Sequence, residues 1–302
     1  MPRYSVKLLG PHPRLIAILQ AILVVSLWSS SWVLIKFGLR DLPPLTFAGL
    51  RYFVAFLVLV PFALSRSNRQ ALRCLTRRPW LLLTALGLLM YTLAPGSQYV
   101  ALLYLPAVTT MLLFTFSTVG VALLSGMLLH ERPTWLQWCG ILTALFGGYL
   151  YFHPVDLPLG QVVGIGVVLV SVLSYSLAAI LGRGIARSKA ISPLLMTVVS
   201  MGAGSAVLLA SGLAVEGLPS IGFRNWLIIL WLSVVNTSFT FVLWNRTLRT
   251  LTAVESNVVT NAMLAEIAVL AWLFLGEHLT LLDVAGLALV MVGVVMVQLR
   301  GR

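Results

Sequence analysis

For most of its length this chain does not space its apolar residues at a helical or strand period. It runs them together in blocks of roughly 20 residues, the length of α-helix that crosses a bilayer core. Such blocks lie near residues 15–37, 44–64, 80–103, 107–129, 134–152, 160–182, 191–213, 225–248, 252–275 and 280–299, ten in all. Between them stand residues that break helices, as in Asp41 to Pro44, Arg77 to Pro79, Glu131 to Pro133 and Pro154 to Pro158. A helix apolar on every face has no side for water, so the pattern predicts an all-α integral membrane protein with ten transmembrane helices. The first block follows Arg3, Lys7 and Arg14, as a secretory leader would. It is too long, carries Trp28 and Trp32 and is not closed by a small-x-small site, so it is expected to stay in the membrane.

The blocks also repeat. Leu129 to Gly140 reads LHERPTWLQWCG and Leu275 to Gly286 reads LGEHLTLLDVAG, an offset of 275 − 129 = 146 residues. At the same offset Gly147 matches Gly293, and LPAV (Leu105 to Val108) matches LTAV (Leu251 to Val254). This is read as an internal duplication, with a first five-helix repeat over 1–153 and a second over 154–302. Five crossings is an odd number, so the second copy must enter the membrane inverted, and the two would enclose a central cavity. Glu131 and Glu277 each precede a helix whose positive dipole end suits a carboxylate, and Thr134 and Thr280 are placed to cap the exposed amides. Gly140/Gly147 and Gly286/Gly293 sit two turns apart, where small residues let helices approach. The motif therefore reads as mainly architectural.

Composition agrees: 60% of residues are hydrophobic and 9% charged, against about 25% charged in soluble domains. The net charge of +12 would suit nucleic acid, but its distribution does not. Sixteen of the 20 Lys and Arg fall on one side of the predicted spans and four, Lys36, Arg40, Arg51 and Arg224, on the other. Positive residues beside spans stay cytoplasmic, so both termini are expected there. The membrane would be a plasma membrane, the inner one in a bacterium. Its anionic headgroups are the natural counter-charge, and no nucleic-acid partner is expected. Cys74 and Cys139 make no disulfide framework or metal site. There is no HExxH, no GxSxG and no Gly-rich nucleotide loop, and His12, His130, His153 and His278 fall in tails or loops. No enzyme activity, metal or cofactor is expected.

Inverted repeats are a construction of secondary transporters, whose equivalent halves expose a midplane site to alternate sides. Three features resemble a known family: LWSSSWVLIKFGL in span 1, LTFAGLRYFVAFLVLVPF in span 2 with Arg51 opening the apolar run, and the two endings in which a glutamate precedes a spaced glycine. Together, over nearly the whole chain, they are similar to the drug/metabolite transporter superfamily in its ten-helix EamA-type form. Where that family often has a proline about thirteen residues before each glutamate, this chain has Thr118 and Leu264. The resemblance implies a basket of helices around a central cavity and export of amino acids or other small metabolites, and the chain looks most like the aromatic amino-acid exporter branch. Purines, other amino acids or cationic drugs are alternative cargoes, and a passive channel is the alternative mechanism. A monomer or weak homo-oligomer is expected.

Helix faces name the candidate substrate-binding residues. In span 3 Tyr91, Pro95, Gln98 and Tyr99 form one stripe, lining a cavity unless the tyrosines, Tyr99 above all, anchor at the membrane interface. Trp28 and Trp32 share a stripe of span 1 with Lys36, which near its end has room to snorkel. Tyr175 lies one turn after Ser171 in span 6. Asn236, Thr240 and Trp244 share a face of span 8, and Asn257 and Asn261 a face of span 9. These amides either line the cavity or bond neighbouring helices, since unpaired they are costly in hydrocarbon. Across the duplication Asn261 corresponds to Thr115 of span 4, flanked by Phe114 and Ser117. Glu266, an acid within span 9, is a candidate for proton coupling. A structural hydrogen bond and contact with a substrate amine are its other readings. Five residues beyond Asn261, it faces about 140° away at helical pitch.

Overall fold

The computed structural model describes residues 11–63, 70, 76–129, 134–153, 158–187, 191–248 and 250–299; Glu131 and Cys74 fall outside them. The described residues form only helices and connecting turns. The helices are α1 (Pro11–Gly38), α2 (Pro44–Ala63), α3 (Arg77–Tyr104), α4 (Ala107–Thr115, resumed after Phe116 as Ser117–Leu129), α5 (Trp135–Tyr151), α6 (Leu159–Arg187), α7 (Pro193–Glu216), α8 (Phe223–Thr247), α9 (Ala253–Leu275) and α10 (Leu281–Gln298). Nine of these described helices are long and apolar enough to cross a membrane. The tenth, α5, has 17 residues and reaches about 25 Å at helical rise.

Their starts follow from local chemistry. Pro44 and Pro193 open α2 and α7, where a missing N–H costs nothing. Thr134, Thr252 and Thr280 build reciprocal capping boxes with Gln137, Glu255 and Asp283. Asp283, rather than Glu277, therefore serves the start of α10. Gly276, in the left-handed region at φ 68°, ends α9. The Glu277 carboxylate goes to a different helix, accepting from the Ala107 and Val108 amides at 2.7 and 3.2 Å. Glu216, at the end of α7, likewise accepts from the Leu45 and Thr46 amides at 3.0 and 2.8 Å and from the Thr46 hydroxyl at 2.9 Å. Each carboxylate meets amides left unpaired at a helix start and the positive end of its dipole.

At the other end of the bundle Glu255 pairs with Arg14 of α1 (Nε–Oε1 3.1 Å) rather than with Arg246, its neighbour in sequence. Arg246 is exposed and Arg249 lies outside the described residues. The Arg14 guanidinium, with the Thr252 amide and hydroxyl, holds the Glu255 carboxyl well below the usual range, at about 2.

Helices pack on partners far away in sequence. α5 lies along α10 with the repeated glycines at the crossing: a Cβ on Gly147 would stand 2.8 Å from the Gly286 carbonyl oxygen, and one on Gly140 2.6 Å from that of Gly293. α3 and α7 touch backbone to backbone at Gly87 and Gly204, and α2 and α7 at Gly49 and Gly212. α3 also packs on α6, where the Ser171 hydroxyl donates to the Ala94 carbonyl at 2.9 Å instead of back-bonding within its own helix. α1 lies between α8 and α9.

Two helices widen in mid-course. α3 has a π-helical segment at Leu88–Leu93 and α8 one at Val234–Phe239, starting 234 − 88 = 146 residues apart. In α3 the cause is Pro95, which lacks an N–H and crowds the carbonyl four residues back. In α8, which has no proline there, the Thr237 and Ser238 hydroxyls donate to the carbonyls of Leu232 and Ser233 five residues back (2.8 and 2.9 Å). Such wide turns concentrate at functional sites.

Candidate functional site

The two π segments face a cavity of about 250 Å³. Its walls come from α1 (Trp28, Ser31, Trp32, Ile35), α2 (Arg51, Tyr52), α3 (Met90, Tyr91, Ala94, Pro95, Gln98, Tyr99, Leu102) and α8 (Asn236, Thr237, Phe241). Phe114, Tyr175, Met201 and Met263 complete it. The volume lies just below the roughly 300–1,000 Å³ of drug-sized sites, which suits a small metabolite.

Eight residues singled out in the sequence line this space: Trp28, Trp32, Tyr91, Gln98, Tyr99, Phe114, Tyr175 and Asn236. Their rings pack edge to face, as with Phe114 on Tyr175 at 5.0 Å and Tyr52 on Tyr91 at 5.8 Å between centroids. Tyr99 is no interfacial anchor. It is buried, stands on Phe47 (5.2 Å) and accepts a hydrogen bond from Arg51.

The other candidates lie behind the wall or away from it. Thr240 accepts from the Trp28 indole N–H at 3.0 Å and donates to the Asn236 carbonyl, and Trp244 packs on Trp28 at 5.3 Å; both support a lining residue. Thr115 and Asn261, linked by the duplication, both point elsewhere. The Thr115 hydroxyl returns to the Met111 carbonyl, and the Asn261 amide donates to Gln298 of α10 at 3.0 Å. Ser117 is buried against α6, its carbonyl accepting from Ser176. The Asn257 side chain lies outside the described residues. Glu266 sits off the cavity, with one oxygen accepting from the Ser26 hydroxyl at 3.2 Å and the other buried without a donor.

Arg51 is what sequence reasoning missed. The charge distribution groups it with three other basic residues on one side of the spans, whereas α2, starting at Pro44 as the block 44–64 does, carries it seven residues inside, about 10 Å along the axis. The proline start was the readable signal. Arg51 is 6% exposed. Its Nε donates to Thr237 Oγ1 at 3.2 Å and its Nη1 to the Tyr99 hydroxyl at 3.1 Å, and its guanidinium stands 5.3 Å from the Tyr52 ring. Lys36 does not snorkel outward either: its ammonium donates to the Leu102 and Leu105 carbonyls at 2.7 and 2.6 Å, at the end of α3.

Asn236 ties α8 to α1, its amide donating to the Leu27 carbonyl and to the Ser30 and Ser31 hydroxyls. Its Oδ1 is left without a donor. The cavity thus offers aromatic and thioether walls, one guanidinium and a few neutral polar groups. That is equipment for holding a small molecule with an apolar body.

Comparison with known proteins gives this arrangement a family. The model of the EamA-like transporter family matches twice, at residues 15–152 and 162–299. Among relatives, the uncharacterized transporter YoaV of Bacillus subtilis (strain 168) is 25% identical over 279 residues, with 90% of this chain and 93% of that protein covered. The uncharacterized transporter YvbV of the same organism is 27% identical, with 95% and 92% covered. An uncharacterized transporter of Archaeoglobus fulgidus is 27% identical, with 81% and 83% covered. These relatives do not single out the aromatic amino-acid exporter branch. A crystal structure 17% identical in sequence shares the fold at a TM-score of 0.66, covering 93% of this chain and 97% of the other. The chain is a multi-pass membrane protein and belongs to the EamA-like transporter family.

Proposed function

We propose that the chain is a secondary transporter that exports amino acids, aromatic ones favoured, or related small metabolites by alternating access through the central cavity. The observation that carries this reading is the cavity itself, a small aromatic chamber enclosed by helices from both matched segments. We read those segments as inverted five-helix repeats, 1–153 and 154–302, with both termini cytoplasmic. The paired π segments, the paired capping boxes at Thr134 and Thr280 and the glycine crossing of α5 on α10 support the equivalence of the halves. The aromatic lining favours flat apolar side chains, and the buried Arg51 speaks against cationic drugs as principal cargo.

Purified protein in proteoliposomes preloaded with unlabelled L-phenylalanine tests the proposal. Uptake of radiolabelled L-phenylalanine should saturate and be accelerated by the internal pool. Linear, unaccelerated flux would make the chain a passive pore, and no flux for any aromatic amino acid would end the substrate assignment.

A further inference from the structure

We infer that Arg51 is the receptor for a substrate carboxylate, and that the cavity accepts aromatic monocarboxylates that have no amino group. This rests on the transport reading for its physiological meaning but not for its test.

The argument starts from the charge balance. A guanidinium carries five N–H donors, and Arg51 gives two of them to Thr237 and Tyr99. The other three meet no recorded acceptor among the described residues. Both protein partners are neutral hydroxyls, so no hydrogen-bonded group among the described residues compensates the charge. Six of the eight acids of the chain are described, and each is engaged elsewhere: Asp41 with Asn225, Glu216 with the start of α2, Glu255 with Arg14, Glu266 with Ser26, Glu277 with the start of α4 and Asp283 with Thr280. None lines the cavity.

A cation inside a membrane protein, held rigidly yet without a counter-charge, is costly to keep. A ligand carboxylate supplies that charge and two acceptor oxygens in the geometry a guanidinium fork matches. The hydroxyls of Tyr99 and Thr237 and the ring of Tyr52 fix the fork at the cavity wall, of which Arg51 is part. A single arginine neutralises a single negative charge, so a monoanion suits the site and a diphosphate does not. An arylalkanoate anion brings the occupied cavity to zero net charge, whereas a zwitterionic amino acid leaves it at +1. The ammonium of such a ligand would meet aromatic faces and neutral acceptors such as Gln98 and Asn236 Oδ1, the latter without a donor, but no carboxylate among the described lining residues. The amine is therefore tolerated rather than required.

Direct binding to purified, detergent-solubilised protein separates this from transport. Radiolabelled phenylacetate, L-phenylalanine, phenethylamine and phenethyl alcohol share a ring and differ in head group. Phenylacetate should bind at least as tightly as L-phenylalanine and tenfold or more above the amine and the alcohol. Arg51→Gln should reduce carboxylate binding about tenfold to hundredfold, the range for a hydrogen bond to a charged group, while leaving the alcohol unchanged, which reports an intact cavity. Arg51→Lys, which keeps the charge without the fork, should fall between them and guards against a folding defect in the glutamine variant. If the amine binds as tightly as phenylacetate, or if both variants keep the wild-type order, the inference is overturned. Saturable L-phenylalanine exchange without any phenylacetate binding would overturn it too while leaving the transport reading standing. Arg51-dependent phenylacetate binding without flux of any ligand would uphold it and end the transport reading.

Discussion

Single residues in this chain divide into those that touch the cavity and those that hold the wall. Tyr91 touches it, standing on Tyr52. Ring pairs contribute about 0.5–1.5 kcal/mol beyond area burial, so Tyr91→Ala should weaken aromatic ligands roughly threefold to tenfold at near-normal expression, as read by equilibrium binding. Among the described residues the Glu266 carboxylate accepts a hydrogen bond only from Ser26. A glutamine there keeps the same acceptor, so Glu266→Gln should leave exchange and pH-gradient-driven accumulation near wild type, and Glu266→Ala should lower stability by about 1–2 kcal/mol. Loss of gradient-driven accumulation alone in the glutamine variant would instead make Glu266 the proton carrier. The sequence was legible where large side chains share one stripe, as along Tyr91, Gln98 and Tyr99, with an interfacial alternative that the burial of Tyr99 removes. It was illegible where a basic residue inside a span was grouped with the charges at span ends, as for Arg51, and where a polar side chain has two faces to choose from, as for Thr115 and Asn261.

Elements meet through backbone contact more than through side-chain bulk. Lipid tails give apolar helices no hydrophobic reason to associate, so close approach at small residues supplies the packing. At the α5–α10 crossing the atoms a new Cβ would meet are the Gly286 carbonyl oxygen and the Val290 amide nitrogen, and backbone cannot rotate away as a side chain can. Gly147→Ala should therefore force the helices apart and cost about 1–3 kcal/mol, seen as a lower thermal midpoint in detergent. Alanine at Gly184, which has nothing within 4 Å of its Cβ position, is the neutral control. The glycine spacing announced this contact in advance. The π segment of α3 was foreshadowed by Pro95, whereas that of α8 rests on two hydroxyls whose reach to carbonyls five residues back no spacing rule signals.

The whole molecule was readable as an apolar, ten-block helical bundle because membrane length and breaker residues leave few alternatives. The short α5 reaches only 17 residues, and its block at 134–152 was already the shortest of the ten. Cysteines introduced at positions 70, 188 and 219 of an otherwise cysteine-free variant test the orientation drawn from the basic residues: the first two should label only from the cytoplasmic side and the third only from outside. Outward labelling at 70 would overturn the arrangement. The pairings of helices carry a last consequence. Glu277 joins α9 to α4, Glu216 joins α7 to α2, glycines join α5 to α10, and Ser171 joins α6 to α3. Every one of these joints crosses from the first stretch of sequence to the second, so the chain has no seam at its midpoint and neither stretch owns a complete wall. Cut between residues 153 and 154, the two pieces should each be degraded when made alone and recover ligand binding only when made together, behaving as the strands of one weave.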